Sequence, residues 1–308
     1  MRVLVIGGCG FIGSHVVDHL LKSGHRVRVY DRRPEMFRPP LPQVEYIAGD
    51  LADTAQIFEA MSGVDALIHL ASTTVPATSN LDPVADITGN LISTVNLLEV
   101  LRSSSVGKIV YLSSGGTVYG VPTTDPVTET HPLHPISSYG IVKVAIENYL
   151  YMEQQLHGLQ QVVLRASNPY GPRQGHTGIQ GIIGTHLWRL ARAEPIEVWG
   201  DGSVVRDFIH VHDLARLCVQ AAEADISGCF NAGSGSGASI AEVVETIRAT
   251  VGGDVQPVYK PGRNYDVPRV VLDIQRARDA LGWAPTISLA EGIAETWDWV
   301  RRTVDKTG

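Results

Sequence analysis

An apolar run at residues 3–6 leads directly into Gly7-Gly8-Cys9-Gly10-Phe11-Ile12-Gly13, and a helix-period stretch follows at 12–22. Strand, glycine turn and helix in this order form the opening of a dinucleotide-binding βαβ unit. The glycines have the spacing G-x-x-G-x-x-G. Gly7 lets the chain turn sharply, and Gly10 lets backbone approach a pyrophosphate. Gly13 lets the helix pack close to the strand. Phe11 and Ile12 fall in the first helical turn, where amides meet an anion.

The alternation continues. Apolar strand-like runs at 27–30, 44–47, 66–70, 108–112 and 161–164 are separated by helix-period segments at 55–61, 83–101 and 139–155. Unbroken apolar strands alternating with helices imply a Rossmann-type doubly wound parallel sheet, an α/β fold. Residues 167–184 are rich in Gly, Pro and polar side chains and read as a long functional loop. Beyond it the spacing predicts helices at 182–193, 213–223, 240–250, 275–281 and 289–303, with strands at 196–198 and 207–210. We expect a dinucleotide-binding domain over 1–167 and a smaller α/β substrate domain over 168–308. Short segments near 205–215 are candidates to return to the first domain.

Composition narrows the function classes. Hydrophobic residues are 44 % and charged residues 19 %, which excludes a disordered or fibrous chain. Net charge is 25 − 32 = −7 and the arginines are scattered, so no nucleic-acid partner is expected. No apolar run reaches the roughly 18 residues of a membrane span, and no secretory leader is evident, so a cytoplasmic protein without a membrane partner is expected. Cys9, Cys218 and Cys229 are too few and too spread for a disulfide framework or a zinc site. No metal is expected. His210 and His212 share a strand face but read as ordinary polar positions.

Asp31 ends the second strand. A carboxylate there accepts hydrogen bonds from adenosine ribose hydroxyls and repels a 2′-phosphate, which favours NAD; Arg32 and Arg33 leave NADP open. Asp50-Leu51 follows the third strand, and Leu70-Ala71-Ser72 ends the fourth, both at the sheet edge where ligands bind. Tyr139 and Lys143 are four apart, with Ser138 as a plausible N-cap, so both lie on one face in the first turns of a helix. Tyrosine titrates near 10. A nearby ammonium, with a positive nicotinamide ring, lowers that value and lets Tyr139 take a hydroxyl proton as hydride leaves the same carbon.

These motifs, with Ser113–Gly120, Asn168–Arg173, the stretch 200–215 and the stretch 263–266, resemble the extended short-chain dehydrogenase/reductases of the nucleotide-sugar epimerase/dehydratase group. The resemblance covers nearly the whole chain. It implies that Lys143 also binds the nicotinamide ribose and that Asn168 donates to a sugar-nucleotide diphosphate. It also implies phosphate-binding arginines at Arg206 and Arg263, and Asp266 near the nucleotide ribose. Two guanidinium forks suit the oxygens of one diphosphate. Relatives commonly dimerise through a four-helix bundle, here from 83–101 and the helix beginning near Tyr139. Leu91, Val95, Leu98, Ile146 and Leu150 are candidates for that seam, or for the sheet.

One segment departs from the group's pattern. Aligned on Thr117-Val118-Tyr119-Gly120, the usual catalytic serine is Gly115. Thr117 is the best substitute and Ser114 the second, since a hydroxyl both donates and accepts. The two glycines at 115 and 116 also leave space. A dehydratase's Asp-Glu pair would fall at Gly116 and Thr117, neither of which titrates usefully. The expected function is NAD-dependent inversion at C4 of a UDP-hexose or UDP-hexuronate through a 4-keto intermediate, by a homodimer. A 4-ketoreductase or dehydratase of the same group, or a non-catalytic NAD-responsive regulator, are the alternatives.

Overall fold

The computed structural model describes residues 1–175, 181–252, 255–262 and 267–304. The first strands are β1 (Arg2–Ile6), β2 (Arg26–Asp31), β3 (Val44–Ala48), β4 (Ala66–His69), β5 (Lys108–Ser114) and β6 (Gln160–Ala166). Then come β7 (Asn168–Tyr170), β8 (Ile196–Trp199), β9 (Val205–His210) and β10 (Gly228–Ala232). The last are β11 (Gly237–Ser239), β12 (Pro257–Lys260) and β13 (Arg269–Val270). The helices are α1 (Phe11–Lys22), α2 (Thr54–Ala60), α3 (Pro76–Ser79), α4 (Pro83–Asp86), α5 (Ser93–Arg102) and α6 (Ser138–His157). Those of the second half are α7 (Ile182–Ala191), α8 (Val211–Glu223), α9 (Ile240–Val251), α10 (Gln275–Leu281) and α11 (Leu289–Val304).

Seven strands form one sheet in the order β10-β6-β5-β4-β1-β2-β3, and every neighbouring pair is parallel. Both faces are covered. On one, Val16, Val17 and Leu20 of α1 meet Leu214, Leu217, Cys218 and Ala221 of α8. On the other lie Ile57 of α2, Leu97, Leu98 and Leu101 of α5, and Val142, Ile146 and Leu150 of α6. Leu98, Ile146 and Leu150 therefore face the sheet and not a dimer seam. The strand order reverses between β1 and β4, which opens a crevice at their carboxyl ends.

Two features differ from the sequence expectation. β10 is the sheet's seventh strand, although its sequence, Gly-Cys-Phe-Asn-Ala, is too short and too polar to read as a buried strand. The stretch 83–101 is not one α-helix. A π-helical turn, Ile87–Ile92, separates α4 from α5. By length and composition this run, Pro83–Arg102, would suffice to cross a membrane, yet it buries Asp86 and Asn90 and packs its leucines on the sheet.

The second half builds a smaller sheet around β9, which pairs with β7, β11 and β13. The returning strand 205–210 thus belongs to this second sheet, and it is the following helix α8 that packs on α1. A separate core of Ile183, Leu187, Ile196, Val243, Ile247 and Ile293 holds α7, α9 and α11 together.

Candidate active site

The glycine turn is built as its spacing predicts. Gly7 has φ +85°, and a Cβ there would lie 2.8 Å from the Ala71 amide nitrogen. A Cβ on Gly13 would sit 2.0 Å from the Gly7 carbonyl oxygen, so α1 rests directly on the turn. Gly10 is the N-cap of α1 and has no side chain to satisfy the first-turn amides, which leaves them for an anion.

Gly7, Gly10 and Phe11 line one wall of a cleft of 560 Å³. Asp31, Asp50 and Leu51 line another part, and Leu70, Ala71 and Ser72 the wall beside β4. Ile12, Gly13, Tyr139 and Lys143 are outside that lining set. The Asp31 carboxylate is oriented by the chain itself. Its Oδ2 accepts from the Cys9 amide at 3.0 Å and its Oδ1 from the Arg33 amide at 3.0 Å. Each oxygen keeps a lone pair for a ribose hydroxyl. Arg32 is 3.6 Å from Asp50 Oδ2, with both side chains half-exposed. Asn90, Thr73 and Arg173 also line the cleft and were not singled out from sequence. An uncapped helix start, a cradle that any Cβ would fill and an anchored carboxylate fit NAD.

α6 carries the Tyr139/Lys143 pair. Its N-cap is Ser137, whose hydroxyl accepts from the Gly140 amide at 3.2 Å, and not Ser138 as the sequence suggested. Ser138 is instead the first helical residue, and its hydroxyl donates to Asp86 Oδ2 at 2.6 Å. The choice between adjacent serines is made by this tertiary partner. Gly140 lets the helix start lie against the 114–119 turn, since a Cβ there would be 2.9 Å from the Thr117 carbonyl oxygen. The Tyr139 phenol shares a hydrogen bond with Ser72. Lys143 is buried. Its ammonium donates to the Leu112 carbonyl at 2.9 Å and lies over the rings of Tyr111 and Tyr139.

Burial and the Asp86 carboxylate push the Tyr139 phenol up to about 12, and the hydrogen bond from Ser72 opposes them. Burial lowers Lys143 to about 8 against the pull of Glu147 and Asp86. In the protein alone, burial dominates and raises the tyrosine.

Thr117 and Ser114 are half-buried, and the Thr117 hydroxyl is 3.4 Å from the Ser114 carbonyl. The two glycines beside them differ. A Cβ on Gly115 would lie 2.6 Å from Leu272 Cδ1 and 2.9 Å from the Arg165 carbonyl, whereas one on Gly116 meets nothing within 4 Å. Only Gly116 leaves open space.

Asn168 and Arg206 come together on the β7–β9 pair, lining a 240 Å³ cavity. Asn168 Nδ2 donates to the Asp207 carbonyl at 2.8 Å, and Arg206 Nη1 to the Val205 carbonyl at 2.8 Å. Trp199, Phe208 and Ile182 form apolar walls that sequence reasoning missed; a tryptophan directly before Gly200 was the available signal. Arg263 and Asp266 lie outside the described residues. Among the described residues no cluster could hold a metal ion.

A family model, the NAD dependent epimerase/dehydratase family, matches residues 3–233. The chain belongs to this family. It is 38 % identical over 311 residues to a UDP-glucose 4-epimerase of Mycolicibacterium smegmatis, covering 98 % of this chain and 99 % of the relative. A UDP-glucose 4-epimerase structure from Thermotoga maritima, determined with UDP-glucose, superposes with a TM-score of 0.94 at 36 % identity, covering 99 % of this chain and 100 % of that one. The Thermus thermophilus UDP-glucose 4-epimerase complex with NAD gives a TM-score of 0.91 at 35 % identity, covering 98 % of this chain and 99 % of that one.

Proposed function

We propose that this chain is an NAD-dependent epimerase that inverts C4 of a UDP-sugar through a transient 4-keto sugar. The observation that carries this reading is the hydrogen bond of Tyr139 to Ser72, which lines the dinucleotide cleft, at a helix start that Gly140 lays against the Thr117 turn. Bound NAD supplies a hydride acceptor and a positive charge beside the phenol. Tyr139 takes the O4 proton, and Thr117, with Ser114 behind it, shares that proton in place of the family serine. Lys143 holds the nicotinamide ribose while anchored to Leu112. Asn168 and Arg206 hold the diphosphate as the sugar turns, with Arg263 as second cation and Asp266 near the ribose. The apolar wall of Trp199 and Phe208 beside them suits a flat base.

Exposed Ile87, Ile92 and Ile141, on the π-turn and on α6, supply an apolar face for a homodimer. Sedimentation at micromolar concentration is expected to give a dimer that Ile141→Glu weakens.

The test is a UDP-sugar panel incubated with purified protein and no added cofactor, read by mass and chromatography. An isomer of unchanged mass is the expected product. Loss of water or carbon dioxide, or turnover only with added reduced nicotinamide and a keto sugar, would overturn the reading.

A further inference from the structure

The start of α6 is fastened to the cofactor-cleft wall by a set of polar contacts centred on one buried carboxylate. Asp86 has no exposed surface. Its Oδ1 accepts from Thr74 Oγ1 at 2.6 Å and from Asn90 Nδ2 at 2.8 Å, and its Oδ2 accepts from Ser138 Oγ at 2.6 Å. The first amides of α6 are met from the same side. Ser138 N donates to Asn80 Oδ1 at 2.8 Å and Tyr139 N to Ser79 Oγ at 3.1 Å. Asn90 Oδ1 in turn accepts from the Thr73 amide at 2.8 Å, and both residues line the dinucleotide cleft. Asn90 lies in the π-helical turn that opens immediately after Asp86. Such turns inside helices recur at functional sites.

We propose that Asp86 is a positioning residue: it docks the first turn of α6 on the cofactor wall and places a buried carboxylate on the side of Tyr139. This rests on Tyr139 acting as the proton acceptor. Three hydrogen bonds compensate a carboxylate withdrawn from water and hold it in place on the side of the tyrosine. The groups beside Tyr139 are Asp86 from α4, Lys143 from α6 and Tyr111 from β5, and Glu147 and His69 lie beside Lys143. Asp86 and Glu147 are the anions among them. Glu147 is engaged by Arg165 at 2.7 Å, whereas hydroxyls and an amide, none of them charged, meet Asp86. Among the described residues no charged group hydrogen-bonds Asp86, so its charge acts on both Tyr139 and Lys143. It adds to burial in keeping Tyr139 protonated until cofactor charge arrives, and it joins Glu147 in favouring the charged form of Lys143.

The substitution Asp86→Asn separates charge from geometry. The amide oxygen still accepts from Thr74 and Asn90, and the amide nitrogen donates to the Ser138 hydroxyl. The expected result on the holoenzyme is a shift of the acid limb of the kcat–pH profile to lower pH by about half to one unit. A matching downward shift is expected in the tyrosinate absorbance titration, read against Tyr139→Phe. Ser138→Ala keeps the charge and loosens the dock; kcat is expected to fall about tenfold with the profile in place. A profile and tyrosinate titration in Asp86→Asn that superimpose on wild type would overturn the proposal. If no sugar is epimerised, the titration still reads the charge effect, so failure of the proposed reaction is distinguishable.

Discussion

The Lys143 ammonium donates to the Leu112 carbonyl at 2.9 Å and lies 5.4 Å from the centroid of the Tyr139 ring. The lysine is thus tied to the end of a central strand, and the tyrosine sits one turn before it on α6. This arrangement fixes the phenol relative to the sheet edge where the cofactor lies. Tyr139→Phe keeps the ring and loses the proton acceptor. Its kcat is expected to fall by about 10²–10⁴ with NAD content unchanged. Lys143→Met is expected to lose turnover and also retained NAD, since it removes a ribose partner. NAD released on denaturation, measured against turnover of the same samples, separates the two. Equal NAD loss in both variants would refute the assigned roles.

The glycine turn makes a graded prediction. Gly13→Ala brings a methyl to 2.0 Å from the Gly7 carbonyl, so α1 must move. Overpacking of this kind costs about 1–3 kcal/mol. The protein is expected to purify without NAD and to melt several degrees lower. At Gly10 the nearest atom is 3.3 Å away, so Gly10→Ala is expected to weaken NAD retention with a smaller change in Tm. Parallel melting curves and NAD contents check the order.

Much of this was legible in the sequence, because the decisive groups are local. A turn of three glycines and a Tyr–Lys pair on one helix face carry their geometry within a few residues. β1 was readable because Val3, Leu4, Val5 and Ile6 are buried on both sides. β10 was not, since a five-residue segment containing Gly and Asn becomes a strand only by pairing with β6. The π-turn was hidden because one extra residue per turn leaves the apolar pattern of 83–101 nearly intact. Asp86, Leu112 and Trp199 reach their sites by tertiary pairing across long sequence separations, which no spacing encodes. The same holds for Ser137 over Ser138 as cap: the nearby Asp86 decides it.

The missing family serine can be restored on paper at Gly115, and the structure argues against doing so. A Cβ there lies 2.6 Å from Leu272 Cδ1 and 2.9 Å from the Arg165 carbonyl. Gly115→Ser is expected to destabilise by about 1–3 kcal/mol and to lower kcat rather than raise it. Gly116→Ser meets open space and is expected to melt within a degree or two of wild type. Thr117→Ala is expected to cost about 10–100-fold in kcat if its hydroxyl shares the proton. A gain of activity in Gly115→Ser would show that the serine, and not Thr117, is the group this turn is built to hold.

Acid should destabilise the fold well before the carboxylates titrate. Burial holds His15 and His69 down to about 3 and His186 and His210 down to about 4, from an ordinary value near 6.5. His15 shows why. One ring nitrogen meets the Pro172 carbonyl at 2.9 Å, the other has no partner, and a proton there would face Arg173. Between about pH 6.5 and pH 3–4 the unfolded chain binds protons at these positions and the folded chain does not, so stability falls as pH falls through that window. Asp207 acts in the opposite sense, because burial raises its carboxyl and the folded state takes up a proton there as pH falls. One such group does not offset four histidines. Tm measured at half-unit steps from pH 7.5 to 4.5 is expected to decline throughout the lower part of the range. His15→Gln, which keeps a donor for Pro172 and cannot be protonated, is expected to flatten the slope. An unchanged slope in that variant would mean that the buried imidazole is not the acid-sensitive group.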